Sequence, residues 1–287
     1  MSLSSFPQQG SMPPAKPGII PLRPLTVGEI LSAAATVVRR HFLALAGASL
    51  TISVVGALAV WWILAGSDQI NEFVTGSWLD GVLNGATVNI PGGVLGATVL
   101  SLMVSLIGGV LVAGMATVCA AQDTLGRPTT GADWRDRLGR TWPVLLALSV
   151  VVAVLVGIGL LLFIIPGVLV YLAAVVATPI AVMERSGIAQ SLRRSAVLTA
   201  GERGRLLALV AAVLVVSVLL TTFVTSLLGE VFNQLSPTGA LLISEGVSCL
   251  LGMITGSWAG AVSALAYIDL RIRKENLAPT LAAAATR

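Results

Sequence analysis

Charge is the scarcest property of this 287-residue chain: 10% of its residues are Asp, Glu, Lys or Arg, against about 25% in soluble domains. Histidine occurs once and cysteine twice. Cys119 and Cys249 both fall inside apolar runs, which excludes a disulfide framework and leaves no metal-ligand spacing. His41 is the lone imidazole, so no Ser-His-Asp set, zinc cluster, phosphate-binding loop or pair of soluble carboxylates can be assembled. No cofactor is implied, and no polar segment is long enough to hold a separate catalytic domain. These absences argue against an enzyme.

What the chain has instead is apolar length: 56% of its residues are hydrophobic. Several charge-free runs exceed 20 residues, enough to cross a hydrocarbon core of about 30 Å at about 1.5 Å per residue. The expected fold is an all-α polytopic bundle of six transmembrane helices, over 42–66, 94–121, two within 141–183, 206–229 and 240–268. The run 141–183 would make one helix of about 64 Å, twice the membrane thickness. It must form a hairpin, and "IIPGV" (164–168) supplies the turn, because proline lacks the donor a helix interior needs.

The basic residues fall into four groups. Lys16, Arg23, Arg39 and Arg40 precede the first span, and Arg127, Arg135, Arg137 and Arg140 separate the second from the third. Arg185, Arg193, Arg194, Arg203 and Arg205 separate the fourth from the fifth, and Arg271, Arg273, Lys274 and Arg287 follow the sixth. The opposite connections carry Asp68, Glu72, Asp80 and Glu230 and no Lys or Arg. The positive-inside rule then predicts a multi-pass protein of the cell (inner) membrane with both termini cytoplasmic. Topology accounts for the sequence pI of 9.7 without nucleic acid. Anionic lipid headgroups are the expected partners, met by Arg39, Arg40, Arg193 and Arg194. A membrane-protein partner or a second copy of the chain is a further possible partner.

Short amphipathic stretches precede each odd-numbered span. In "TVGEILSAAATVVRR", Thr26 and Glu29 form a capping box, and Thr130 and Asp133 stand at the same offset in "TGADWRDRLGR". The third stretch, "SGIAQSLRRSAVLTAG", stops at Gly201, a suitable residue just past a helix end. The even spans close alike, with an acid and then arginine: Asp123/Arg127, Glu184/Arg185, Asp269/Arg271. This order suggests three parallel repeats of an elbow helix followed by a hairpin. The expected limits are a disordered proline-rich tail over 1–25, a membrane domain over 26–275 and a flexible tail over 276–287.

Within the sixth span small residues recur every four positions: Ser244, Ser248, Gly252, Gly256, Gly260 and Ala264. Close van der Waals approach drives helix association in lipid, so Ser248 through Ala264 are the expected packing stripe. Glu245 is the one ionisable side chain in an otherwise apolar run and the candidate intramembrane functional carboxylate. Because 23 uncharged residues follow it, a headgroup-level position is the competing expectation.

"GIIPLRPLTVGEI" with "RRHF", the "IPG" of the hairpin turn, "TPIAVMERSGIAQSLRRSAVLTAGERGRLL" and the closing "YIDLRIRKE" resemble the membrane domain that some bacteria fuse to glycerophosphoryl diester phosphodiesterases. Stand-alone relatives are multi-pass proteins without the catalytic part. The resemblance implies fold and membrane location; the metal-binding acids and histidines of the phosphodiesterase itself are missing here. The leading expectation is a non-enzymatic membrane protein that scaffolds or modulates envelope machinery. The alternative is a transporter or lipid-translocating protein. Its candidate positions are Gly157, Gly159 and Pro179 of the second hairpin and the glycines of the sixth span.

Overall fold

The computed structural model describes residues 18–21, 23–75 and 91–277. Asp80, Lys16, Arg287 and the bulk of both predicted tails lie outside these residues. Among the described residues there are eleven helices and no strand: α1 (Val27–Arg40), α2 (Phe42–Ser67), α3 (Ile70–Thr75), α4 (Gly92–Thr124), α5 (Gly131–Leu138), α6 (Trp142–Leu162), α7 (Ile164–Ala174), α8 (Ala177–Glu184), α9 (Ile188–Thr199), α10 (Arg203–Asn233) and α11 (Pro237–Glu275). Six stretches are long and apolar enough to cross a membrane: α2, the second half of α4, α6, α7 with α8, α10 and α11. The protein is an all-α polytopic membrane bundle.

Both predicted capping boxes are formed. Thr26 Oγ1 accepts from the Glu29 amide and Glu29 accepts from the Thr26 amide, and Thr130 and Asp133 repeat the exchange. Each box satisfies donors that the first turn of a helix leaves free. The third elbow, α9, has no side-chain cap and ends before Gly201, whose φ is +83°. The order elbow, span, span therefore recurs as α1–α2–α4, α5–α6–α7/α8 and α9–α10–α11.

The turn of the second hairpin lies one step earlier than "IIPGV" suggests. Phe163 is extended and reverses the chain, while Ile164, Ile165 and Pro166 already form the first turn of α7. There the missing proline N–H costs nothing, because first-turn amides have no partner within the helix. Gly159 and Gly167 meet at this corner: a Cβ on Gly159 would stand 2.7 Å from the Gly167 Cα. Two glycines are what let α6 and α7 close on each other.

Pro179 breaks the fourth span. In a continuous helix the amide at 179 would donate to the carbonyl of Val175, and proline has no N–H to give. The helix accordingly stops at Ala174 and restarts at Ala177. Ser263 Oγ of α11 donates to the Val175 carbonyl instead, at 2.6 Å, and Ser195 Oγ of α9 donates to that of Ala173, at 2.6 Å. Such substitution by hydroxyls is what allows a broken helix to stand in lipid.

The folded unit begins earlier than Thr26, contrary to the tail boundary at 25. Ile20 and Leu25 are buried in the main core beside Ile30, Leu265 and Tyr267. The Ile19 amide donates to the Asp123 carbonyl at 3.1 Å. Gly18 lies so close that a Cβ would collide with that oxygen. At the other end Leu277 also packs on this core, just beyond the boundary expected at 275.

The sixth span is the central post: α11 packs on α4, α2, α1, α10 and α8. Burial concentrates at the arginine-bearing end, where Tyr267, Leu265, Ala264, Ile180 and Cys119 join the elbow residues Ile30, Ala34 and Val37. The fifth span is the opposite case: Leu206 and Leu209 near its start are buried, while Leu214, Val218, Leu219 and Phe223 face outward. Outward apolar side chains of this kind have lipid as their solvent, so their exposure costs nothing.

Candidate functional site

Two cavities lie in series along one face of α11. The larger has a volume of about 720 Å³, within the roughly 300–1,000 Å³ of small-molecule sites. Five spans wall it. Gly109 and Ala113 come from α4, Val152 and Gly157 from α6, Tyr171 and Pro179 from the broken fourth span, Val213 and Leu214 from α10, and Gly256 and Gly260 from α11. Its lining is predominantly apolar and contains no charged residue. Tyr171 and Leu214 on its rim are exposed, so the cavity opens sideways between the second hairpin and the fifth span.

Four of the hydroxyls in this wall, though not those of Tyr171, Thr178 and Ser217, share a constraint. Thr117 donates to Ala113, Ser149 to Leu145, Thr255 to Leu251 and Ser263 to Val175, at 2.6–2.8 Å. With their hydrogens committed to backbone carbonyls, these four oxygens have only lone pairs left to offer.

The smaller cavity, about 170 Å³, lies between α2, α4 and α11 and is lined by Ser49, Ser53, Ser101, Glu245, Ser248 and Cys249 together with Gly56, Gly108, Gly109 and Gly252. Ser101 Oγ is buried and has no hydrogen-bond partner. Gly109 borders both cavities. On α11, Glu245, Ser248 and Gly252 line the smaller cavity and Gly256, Gly260 and Ser263 the larger, all within one face at 100° per residue. From Glu245 to Ser263 is about 27 Å of helix at 1.5 Å per residue, close to the hydrocarbon thickness.

The glycine stripe therefore does two different jobs. Gly260 packs as expected: a Cβ there would stand 2.7 Å from the Ala113 Cα of α4. Ala264 is buried in the core. Gly252 and Gly256 do not pack, since a Cβ on either would meet nothing within 4 Å. They face the cavities, which corrects the expectation of one continuous contact surface. Spacing identified the face, but what stood opposite depended on the other helices.

At the arginine-bearing end three acids are sockets. The Asp269 side chain, 1% exposed, accepts from Arg205, from Arg273 at 2.9 Å and from the Leu25 amide at 2.6 Å. Arg205 and Arg273 also donate to the Leu25 carbonyl, so this one peptide segment is clamped from both sides. Glu184 accepts from Arg194 at 2.6 Å and from the Tyr267 hydroxyl at 2.7 Å, and Arg194 reaches Glu275 at 2.9 Å. Asp123 meets His41 at 3.2 Å and Arg40 at 3.8 Å. Of the residues expected to meet lipid headgroups, Arg39 and Arg193 are exposed, Arg40 is shared with Asp123, and Arg194 is occupied within the protein. The acid-then-arginine endings marked this layer, but its long-range partners, Arg205 and the Leu25 backbone, had no signal in the sequence. The serines at 49, 53 and 101 were also missed, although an i,i+4 serine pair in a charge-free span is a readable cue.

Comparisons with protein-family models, with curated proteins and with solved structures return no match.

Proposed function

We propose that this protein is a non-enzymatic carrier of chain-bearing amphiphiles, a transporter or lipid-translocating protein that takes such a molecule into the larger cavity from the surrounding bilayer. The observation that carries this reading is the composition of the cavity wall. Gly157 and Pro179 of the second hairpin and Gly256 and Gly260 of the sixth span, separated by up to 103 positions in the chain, line one chamber. Broken helices and missing side chains are what binding sites between transmembrane helices are made from. A lateral mouth beside the weakly buried fifth span suits a ligand that arrives dissolved in lipid. The distribution of arginine supports placing both termini in the cytoplasm of a cell membrane. Membership of the glycerophosphoryl diester phosphodiesterase membrane-domain family, as a module without its catalytic part, belongs to the same proposal.

Lipid extracted from the purified protein and identified by mass spectrometry tests the reading. Wild type should retain a chain-bearing amphiphile in near-stoichiometric amount, and Gly256→Leu, which narrows the chamber, should lose most of it while the two delipidated proteins unfold at the same temperature. Equal retention by both would refute it. The second reading is a scaffold for envelope machinery. It is favoured by the cross-linked ionic layer at the arginine-bearing end, with Arg39 and Arg193 left exposed on it. Retention of no amphiphile, together with recovery of a membrane-protein partner by crosslinking, would favour it.

A further inference from the structure

We infer that the smaller cavity is the head compartment of the same site, and that it selects amphiphiles whose head donates hydrogen bonds and carries no negative charge. The inference rests on the carrier reading above. It follows from what Glu245 has to work with. Between Arg40 and Arg127, and between Arg205 and Arg271, the chain contains no Lys, Arg or His apart from His41, and His41 is engaged with Asp123 at the far end of the bundle. No basic side chain pairs with Glu245 among the described residues, and the stretches 42–126 and 206–270 around it carry none. A carboxylate in such a compartment has hydroxyls but no cation beside it, which favours a ligand that brings a positive charge or further donors.

The surroundings point the same way. Ser49, Ser53, Ser101 and Ser248 line the compartment with Glu245, and the Ser101 oxygen is buried without a partner. In the adjoining chamber the four hydroxyls with committed hydrogens offer acceptors alone. An ammonium or polyol head meets hydroxyl oxygens along both cavities and a carboxylate at the end. A phosphate or carboxylate head meets a like charge and no cation. Gly109 borders both cavities, and Gly252 on the smaller and Gly256 on the larger have open space where a side chain would be.

The test uses the purified full-length protein and three photoreactive amphiphiles with identical chains and ammonium, glycerol or phosphate heads. Wild type should capture the ammonium and glycerol probes about tenfold better than the phosphate probe. Glu245→Gln should raise capture of the phosphate probe severalfold, a gain that misfolding cannot produce, and bring the three heads to within about twofold. Equal capture of all three heads by wild type, or unchanged discrimination by Glu245→Gln, overturns the inference and leaves the carrier reading intact. Capture that is insensitive to Gly256→Leu for every head overturns the carrier reading, and the inference with it.

Discussion

Replacing Ser263 with alanine removes the one hydroxyl that serves the Val175 carbonyl across the break in the fourth span. The bond is short, 2.6 Å, and Pro179 offers no amide to take its place. Hydrogen bonds between transmembrane helices average about 0.6 kcal/mol and reach about 1.7 kcal/mol. The Val175 oxygen faces a membrane-embedded cavity rather than bulk water, so the upper part of that range applies, about 1–1.7 kcal/mol. Pro179→Ala restores an N–H at 179, four residues after Val175. In that background Ser263→Ala should cost almost nothing, giving a coupling of about 1 kcal/mol in a double-mutant cycle. Equilibrium unfolding in mixed micelles, followed by tryptophan fluorescence, measures all four corners. Independent sites add to within about 0.3–0.5 kcal/mol. If Ser263→Ala costs the same in wild type and in the Pro179→Ala background, the hydroxyl is not replacing the missing amide and the account of the broken helix is wrong.

The glycines of α11 should separate in the same assay. Gly260→Leu forces side-chain carbons against the Ala113 backbone and should cost about 1–3 kcal/mol or more, whereas Gly256→Leu enters open space and should stay within about 0.5 kcal/mol of wild type. Equal losses would mean that the stripe packs along its whole length. Asp269→Asn leaves Arg205 and Arg273 around a neutral group in a buried site and should destabilise by about 3–5 kcal/mol, with proteolysis near Leu25 appearing first; a melting curve like wild type would refute the clamp. Hydrogen bonds from Thr26 and Thr130 hold the carboxyls of Glu29 and Asp133 below their ordinary pKa values. A depressed folded pKa means that the capping contribution is complete above the unfolded values of about 4.3 and 3.9 and fades as pH falls through the folded ones. Glu29→Gln keeps the bond and removes that proton, so α1 should fray less on acidification in this variant than in wild type. Identical acid profiles by limited proteolysis of α1 would count against the box.

The six spans were legible because lipid imposes a requirement that composition alone reveals: long runs without charge, with the arginines confined to alternate connections and the ends of the chain. The elbows were legible at their starts, where Thr26 and Thr130 stand three residues before an acid. Local chemistry failed where the partner was remote. Gly256 and Gly260 look the same in sequence, yet one faces a chamber and the other touches Ala113. Glu245 stood out as a solitary charge, but the serines that share its compartment come from two other helices. Residues 18 to 25 follow a proline-rich stretch that reads as a tail, and it takes the arginine-bearing ends of α4 and α11, with α1, to give Ile20 and Leu25 a place to bury.

The Leu25 clamp also orders the making of the protein in time. Leu25 leaves the ribosome early, and Asp269, which receives its amide, lies 244 residues later. At about 5–20 residues per second, the interval is on the order of tens of seconds. Until Asp269 is made the Leu25 amide has only water, and Arg205, synthesised 64 residues before that acid, waits without it. Closure becomes possible only once the last span has been inserted, so the first piece of the fold to be synthesised is among the last to be secured. A chain truncated before Asp269 would carry its spans in the membrane and leave its beginning loose, a difference that a quality-control protease at the membrane surface could read directly.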